Sequence, residues 1–380
     1  MNSPLPNPGR GIYFHVPFCA STCDFCAFYQ EQPKRGDIDR YLSAMERELE
    51  INPPGKVDTA FWGGGTPGLL PAEDLYRLGR ALTQAAGKPK EWTVELAPSS
   101  VREDKLAALK EAGVTRVSLG VQSFDEETLE TLGRRHSPKQ IHDAWQAIES
   151  IKFASRNLDL IFGIPGQDEE RWLKDLERVV DLNPQHLSTY CLTFEEDTAL
   201  FVKMSQGKIK IDKDREAYLY RKTWQYLEQK GYAQYEVSNF AQKGFACEHN
   251  LITWHMGDWI GYGPSASSQW HGQRWTNPAN LESWIEGIEQ NLPRREQEKS
   301  LSPSDILSDA LVFGLRLNAG VSPFALAERL KTPCPQGVLS FFADCVEEGF
   351  MELKGDRFCL TEEGRLRADA VGVEVLKQFD

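Results

Sequence analysis

The sequence has no long uninterrupted apolar run and no excess of basic residues, and both absences limit what the protein does. Its 380 residues include 43 Lys and Arg against 56 Asp and Glu, which gives a formal net charge of −13. Nucleic acid binding requires a basic face, so this charge argues against a nucleic acid partner. The first ten residues lack a signal-peptide pattern. We therefore expect a cytoplasmic protein with no membrane span.

Cysteine is scarce, with only 8 residues in the whole chain. In a reducing compartment, so few cysteines predict thiols or metal ligands and not a disulfide framework. Three of them, Cys19, Cys23 and Cys26, lie close together in the segment "HVPFCASTCDFCAFYQ", and no fourth cysteine follows nearby. This group is the first candidate metal site.

Short β-prone runs alternate with helix-length amphipathic segments from residue 11 to about 240, which predicts repeated βα units. The predicted strands are GIYFHV, DTAFW, WTVEL, RVSLGV, LDLIF and LSTYCL. We expect Asp37 to cap the first helix, and we expect further helices near 101–112 and 168–181. The predicted fold is therefore α/β, with an incomplete barrel of the (β/α)6 type.

The pattern changes near residue 300. Residues 304–317 and 337–348 have helical periodicity, and "FMELKGDRFCL" contains two alternating runs joined by a Lys-Gly-Asp turn. These features predict a small winged-helix-like domain over residues 301–380, after a barrel domain over residues 1–240. We expect residues 241–300 to lie between the two, with residues 271–300 as the connection.

Polar and glycine motifs recur where the predicted strands end. The cysteine loop follows the first strand, and "GGGTP" follows the second. Glu95 lies in the third strand, "GVQSF" follows the fourth, and Asp159 lies in the fifth. In parallel barrels the strands deliver their side chains to one common rim, so these motifs predict a shared site.

Two metal centres fit three cysteines. Zinc binds Cys and His at close spacing, and His15 could complete its ligand set, but structural zinc sites usually combine two separate C-x-x-C motifs. A cluster with four iron corners ordinarily takes four thiolates, so three thiolates leave one iron open to a small molecule. We favour the iron–sulfur cluster and keep zinc as the alternative.

The cysteine segment and "WGGGTPGLL" together resemble the radical S-adenosylmethionine (SAM) superfamily. The resemblance implies a [4Fe-4S] cluster on Cys19, Cys23 and Cys26, whose open iron chelates the amino and carboxylate groups of SAM. It further implies one-electron reduction of SAM to methionine and a 5'-deoxyadenosyl radical. Cleavage of this kind would need an electron donor such as flavodoxin or ferredoxin.

Further motifs, "VELAPS", "RVSLGVQSF", "LGRRHS" and "NLDLIFGIPGQ", resemble the branch that contains the anaerobic coproporphyrinogen oxidase. The resemblance implies that residues at the strand ends bind SAM: Tyr13 near the sulfonium, Phe25 on the adenine, Gly64, Gly65 and Thr66 at the methionyl amine, Glu95 beside that amine, Gln122 and Asp159 at the ribose hydroxyls, and Arg134 at the carboxylate. A guanidinium fork suits a carboxylate, and amide and carboxylate oxygens suit hydroxyls. His15 matches an active-site histidine of the oxidase, and we expect it to line the site without an assigned role.

Within this branch the chain is most similar to the HemW family of haem chaperones. Ala27 and Phe28 follow Cys26, where the oxidase continues C-x-C, and the first cysteine of the loop is already at residue 19. The glycine motif continues as Gly68-Leu69-Leu70 and lacks the threonine and tyrosine of the oxidase. These departures argue against decarboxylation of coproporphyrinogen.

The HemW family carries a haem-associated H-N-x-x-Y-W segment, and "CEHNLITW" matches it except that Thr253 replaces the tyrosine. The resemblance implies that His249, and less directly Cys247, bind haem iron, with Trp254 as a flat packing surface. Residues 241–300 would then include the haem-associated segment.

The resemblance implies a chaperone that binds the cluster, SAM and haem or another tetrapyrrole, and that passes haem to an unidentified acceptor protein. The alternative is an enzyme with turnover that acts on a tetrapyrrole or another small substrate. Such an enzyme would be an oxidative decarboxylase, a haem-opening enzyme or a methyltransferase. The sequence leaves open whether SAM is cleaved.

Overall fold

A twelve-stranded mixed sheet forms the centre of the computed structural model, which describes residues 8–379. Its strands are β1 (Arg10–Val16), β2 (Thr59–Gly64), β3 (Glu91–Leu96), β4 (Arg116–Gln122), β5 (Ser155–Phe162), β6 (His186–Cys191), β7 (Ala233–Glu236), β8 (Asn239–Ala241), β9 (Asp258–Tyr262), β10 (Ser267–Trp270), β11 (Gln273–Thr276) and β12 (Glu296–Ser300). Their order across the sheet is β12-β11-β10-β9-β1-β2-β3-β4-β5-β6-β8-β7. Strands β1 to β6 pair in parallel with their sequence neighbours. This arrangement confirms the predicted partial barrel.

Amphipathic helices follow the strands and bury one face each. They are α1 (Asp37–Ile51), α2 (Ala72–Ala86), α3 (Glu103–Ala112), α4 (Glu126–Thr131), α5 (Pro138–Ile151), α6 (Glu169–Asp181), α7 (Ala199–Ser205), α8 (Lys213–Gln229), α9 (Glu248–Trp254), α10 (Leu281–Glu289), α11 (Pro303–Leu315), α12 (Pro323–Leu330), α13 (Gln336–Glu347), α14 (Glu362–Arg365) and α15 (Ala368–Leu376). In α1 the buried positions include Tyr41, Leu42 and Met45, as the periodicity of the sequence predicts.

The predicted cap of α1 was wrong. Gly36 occupies the cap position with a φ of 86°, a left-handed conformation that favours glycine over aspartate. Asp37 is the first helical residue, and its carboxylate accepts the N–H of Lys34 at 2.8 Å.

The predicted connection over residues 271–300 contains β11, α10 and β12. Strand β9 pairs with β1 in parallel, and β10 to β12 continue the sheet in antiparallel fashion. The charged run of this connection lies in β12, whose residues are all exposed at the sheet edge. Charge is common on edge strands because it prevents pairing with other chains. The domain limits given above stay a prediction.

The C-terminal part contains α11 to α13 followed by a hairpin, as expected for a winged-helix-like domain. Its strands are β13 (Met351–Lys354) and β14 (Arg357–Leu360), which pair on either side of Gly355 and Asp356. A separate core of buried side chains supports it, including Leu311, Val338 and Phe342. Backbone hydrogen bonds from Val237 to Arg316 and from Asn318 to Tyr235 join this part to the β7–β8 turn.

Among residues 8–379, no helix combines the length and the apolar character that crossing a membrane requires.

Candidate functional site

The three cysteines lie in a loop whose base is closed by backbone hydrogen bonds. The N–H of Cys19 donates to Glu31 O at 3.0 Å, and the N–H of Glu31 donates to Pro17 O at 2.7 Å. Burial raises the pKa of the Cys19 and Cys26 thiols, and the charges of the neighbouring cysteines raise it further. The three thiols therefore lie close enough to repel one another when ionised, and a cationic centre would stabilise all three as thiolates.

Asp24, between the second and third cysteines, anchors this loop to the barrel. Its N–H donates to Leu132 O at 3.0 Å, and its own carbonyl accepts the N–H of Leu200 at 2.9 Å. Its carboxylate forms an ion pair with Lys203 at 2.7 Å. No signal in the sequence indicates this role, because the partners are more than a hundred residues away along the chain.

His15 is buried beneath the loop with both ring nitrogens occupied. Its Nε2 lies 2.9 Å from the carbonyl oxygen of Tyr29, and its Nδ1 lies 3.2 Å from the hydroxyl of Tyr13. A zinc ion would have to displace one of these hydrogen bonds to use His15 as a ligand. The structure thus gives His15 a positioning role between β1 and the end of the cysteine loop.

The glycine run lets the loop after β1 pack directly on the end of β2. A Cβ atom at Gly65 would lie 2.7 Å from Phe18 O, and one at Gly64 would lie 2.5 Å from the His15 ring. Gly64 also has a φ of 97°, in the left-handed region. The hydroxyl of Thr66 lies 3.6 Å from Cys19 Sγ. These glycines therefore bring the cysteines close to the backbone groups that are predicted to contact SAM.

Glu95 lies beside Tyr13 and Asp159 inside the barrel. Burial raises the pKa of Glu95 to about 8, and the charge of Asp159 raises it as well, whereas a hydrogen bond from the Gly64 N–H lowers it. Burial also raises the pKa of Tyr13, and the charge of Glu95 adds to this effect. A carboxylate in such surroundings gains from a ligand that brings positive charge or N–H donors, as the SAM amine would.

Asp159 is held in place by side chains from its own strand, β5, and from the neighbouring strand β4. Ser118 donates to its Oδ2 at 3.0 Å, and Asn157 donates to its Oδ1 at 2.7 Å. Burial raises the pKa of Asp159, while hydrogen bonds from Ser188, Ser118 and Asn157 lower it. The carboxylate is thus fixed in direction, which suits the recognition of ribose hydroxyls.

Arg134 and Gln122 meet over Gly120 at the end of β4. A Cβ atom on Gly120 would lie 3.0 Å from Gln122 Nε2 and 3.7 Å from Arg134 Nη2. Gln122 has a φ of 68° where the pairing of β4 and β5 shifts register. Arg134 lies 5.6 Å from the centre of the Phe25 ring, and its buried Nε has no hydrogen-bond partner among the described residues. Unused guanidinium donors beside the cysteines fit the carboxylate of SAM.

These residues fit a cluster with SAM better than a single metal ion. Within the described range, residues 8–379, no three His, Cys, Asp or Glu side chains converge closely enough to hold one ion. An iron–sulfur cube places each thiolate on a different iron, so it needs less convergence than zinc does. The orphaned Nε of Arg134 and the buried carboxylate of Glu95 match the two ends of an amino acid.

His249 and Cys247 lie at the opposite end of the barrel, near the first residues of β2 and β3. Cys247 is fully buried, and its Sγ lies 3.4 Å from Glu91 Oε1. His249 is 8% exposed, its Nδ1 lies 2.8 Å from Thr59 Oγ1, and its N–H donates to Glu91 at 2.9 Å. Neither residue joins the SAM residues, and iron ligation by either would require α9 to move.

Trp254 occupies the other side of α9, where it lines a cavity of about 640 Å³ between the barrel and the C-terminal helices. Asn250 and Thr253, from the same helix, also line it. Thr253 is smaller than the tyrosine of the family segment, so the cavity is wider at this position. One side of the segment predicted to be haem-associated is therefore buried against the barrel, and its other side lines the cavity.

Two known protein families match parts of this chain. The radical SAM superfamily matches residues 13–179, and the HemN C-terminal domain family matches residues 301–367. The solved structure of coproporphyrinogen III oxidase (HemN) from Escherichia coli superposes with a TM-score of 0.83 and 23% identity, covering 98% of this chain and 91% of that one. At this identity the likeness establishes the fold alone.

Similar curated proteins carry the name heme chaperone HemW. The Bacillus subtilis protein is 32% identical, covering 95% of this chain and 98% of its own length. The Mycobacterium tuberculosis protein is 34% identical over 97% and 95%, and the Escherichia coli protein is 37% identical over 68% and 70%. These matches confirm the resemblance that the sequence motifs indicated. The chain therefore belongs to the HemW family within the radical SAM superfamily.

Proposed function

We propose that this protein is a cytoplasmic haem chaperone that binds a [4Fe-4S] cluster, SAM and haem and delivers haem to an acceptor protein. The observation that carries the proposal is the similarity to proteins named heme chaperone HemW along nearly the full length of both chains. The likeness to the oxidase concerns the fold, so decarboxylation of coproporphyrinogen is not carried over.

Membership in the superfamily implies a [4Fe-4S] cluster and SAM, and the proposed ligands of the cluster are Cys19, Cys23 and Cys26. When bound, the cluster supplies one-electron chemistry and an open iron for SAM. The side chains at the strand ends bind and orient SAM. Arg134 binds the carboxylate of SAM, and Glu95 accepts a hydrogen bond from its amine. Together they orient one end of SAM beside the cysteine loop.

The other end of SAM is bound by three further residues. Asp159, fixed by Ser118 and Asn157, and Gln122 accept hydrogen bonds from the ribose. Phe25, which packs against a small apolar cluster near α7, provides a flat surface for the adenine.

A radical SAM enzyme acting on a small substrate is the second candidate, and one observation favours it. Tyr190, at the end of β6, lines the 640 Å³ cavity and is 42% exposed, and partial desolvation together with the charges of Asp159 and Glu95 raises its pKa. A molecule in the cavity would therefore lie beside the residues that bind SAM.

An anaerobic haem titration of the cluster-reconstituted protein, followed by visible absorption, tests the proposal. We expect saturation at about one haem per chain, because the cavity of about 640 Å³ has an aromatic wall that would bind one planar ligand. The absence of saturable binding would refute the chaperone function. Formation of 5'-deoxyadenosine that depends on an added tetrapyrrole substrate would favour the enzyme instead.

The replacement Glu95→Gln should change the pH dependence of SAM binding. Because burial and Asp159 raise the pKa of Glu95 to about 8, the group is mostly protonated at pH 6.5 and mostly ionised at pH 8.5. The affinity advantage of the wild type over Glu95→Gln should therefore grow by about tenfold or more between these two pH values. Equilibrium binding of SAM to both reconstituted proteins measures it, and the variant controls for titration of SAM itself.

An affinity ratio that stays constant with pH would show that Glu95 does not contact the amine of SAM.

A further inference from the structure

The 640 Å³ cavity is lined on one side by arginines that the binding of SAM does not use. Its walls come from the ends of β6 and of the β7–β8 turn, from α9, and from the C-terminal residues around α14. Arg316, Arg365 and Arg367 lie in the C-terminal wall, and Trp254 lies in the wall formed by α9.

Arg316 lines this space and has one donor without a protein partner. Its guanidinium carbon lies 5.1 Å from the centre of the Trp254 ring, and its buried Nε has no hydrogen-bond partner among residues 8–379. Its only ion pair in the described chain, at 2.9 Å, is with Asp369, whose side chain is 93% exposed. An ion pair this exposed contributes little to the stability of the fold. An anion bound in the cavity would therefore compete easily with Asp369 for Arg316.

Arg365 also lines the cavity and lies over an aromatic ring. It lies 4.5 Å from the centre of the Trp224 ring, and one N–H donates to Gln234 at 2.7 Å. Its Nε is also buried and has no partner within the described residues. Both guanidinium groups thus lie over aromatic rings, and each has an Nε donor without a partner in the described chain.

The acidic residues of the cavity do not cancel this charge. Glu236 already accepts hydrogen bonds from the Ser238 N–H and the Asn239 side chain. Asp369 is the other carboxylate in the wall, against three arginines. The cavity therefore combines an aromatic wall with an excess of guanidinium donors.

We propose that Arg316 and Arg365 bind the carboxylate groups of a tetrapyrrole in this cavity, with the Trp254 ring against its flat face. The inference rests on the proposed function and gives it a location separate from His249. A tetrapyrrole such as haem is a planar apolar ring with carboxylates along one edge, and guanidinium forks recognise carboxylates through paired hydrogen bonds.

The test compares two probes on the full reconstituted chain: haem, and the same iron porphyrin with both propionates esterified. The wild type should bind the ester at least about tenfold more weakly than haem. Arg316→Gln and Arg365→Gln should each weaken haem binding by about tenfold and leave binding of the ester unchanged. Arg316→Lys should recover part of the loss, because it keeps the charge but not the fork.

Arg221→Gln is the matched control, since Arg221 pairs with Glu362 and Glu363 at the same domain contact but does not line the cavity. It should bind both probes as the wild type does. Equal binding of haem and ester by the wild type would overturn the inference without any variant. If haem binds saturably but both Gln variants match the wild type, the inference is wrong and the chaperone function stands. If the wild type binds no haem, the proposed function itself fails.

Discussion

Replacing Cys23 by alanine should abolish the iron–sulfur cluster, so that the anaerobically reconstituted variant contains almost no iron or sulfide. Each of the three loop cysteines is expected to hold a different iron, so the loss of one leaves two corners of the cube without a protein ligand. The loop cannot supply a substitute, because none of the other free cysteines in the described chain belongs to it. Iron and sulfide analysis, together with visible absorption, measures the loss.

Cys334→Ala is the matched control for Cys23→Ala. Cys334 is a free, partly exposed thiol of the C-terminal part, so its removal should leave the cluster intact. Wild-type amounts of iron and sulfide in Cys23→Ala would show that the loop does not bind the cluster. Reconstitution with zinc in place of iron and sulfide would revive the alternative that the sequence left open.

The sequence predicted the barrel because the signals for its strands are local. Each predicted strand overlaps an observed one, and helices observed at Glu103–Ala112 and Glu169–Asp181 match the predicted segments. Pairing between distant strands leaves no such local signal. Residues 258–262 pair with β1 in parallel, and nothing in their composition identifies that partner.

The candidate site also contains some residues that the sequence identified and others that it did not. The cysteines, the glycine run and Glu95 could be identified because each lies in a short motif at a strand end. Asp24 could not, since its importance lies in contacts with Leu132 and Leu200. The cavity arginines were missed for a related reason: they belong to the C-terminal part and come beside α9 and the end of β6 only in the folded chain.

Helix α9 shows why a family pattern alone does not assign a ligand. Glu91, at the start of β3, accepts the N–H groups of Glu248 and His249 at 3.0 and 2.9 Å. It acts as a cap supplied by another strand, since Cys247 makes no side-chain cap. His249 is therefore held by its backbone as well as by the Thr59 hydrogen bond. A structural role for this histidine has to be separated from a role as a haem ligand.

His249→Ala should destabilise the protein by about 2–4 kcal/mol whether or not the residue binds haem. It removes a buried ring that packs 5.3 Å from the centre of the Phe61 ring, and it leaves the Thr59 hydroxyl without this partner. Thr59→Val should lower the free energy of unfolding by only about 1 kcal/mol, because it removes the hydrogen bond to His249 and keeps the imidazole ring in place. Urea unfolding of the two variants beside the wild type measures the difference.

The same pair of variants separates the two roles in a haem titration. Burial and, to a smaller extent, the charge of Arg116 lower the pKa of His249 to about 4, so the ring is neutral at pH 7 and able to bind iron once released. If His249 is the axial ligand, Thr59→Val should bind haem at least as tightly as the wild type, because the ring is freed, whereas His249→Ala should lose the absorption band of the ligated iron. If both variants titrate as the wild type does, His249 serves to hold α9 against the barrel and is not the iron ligand.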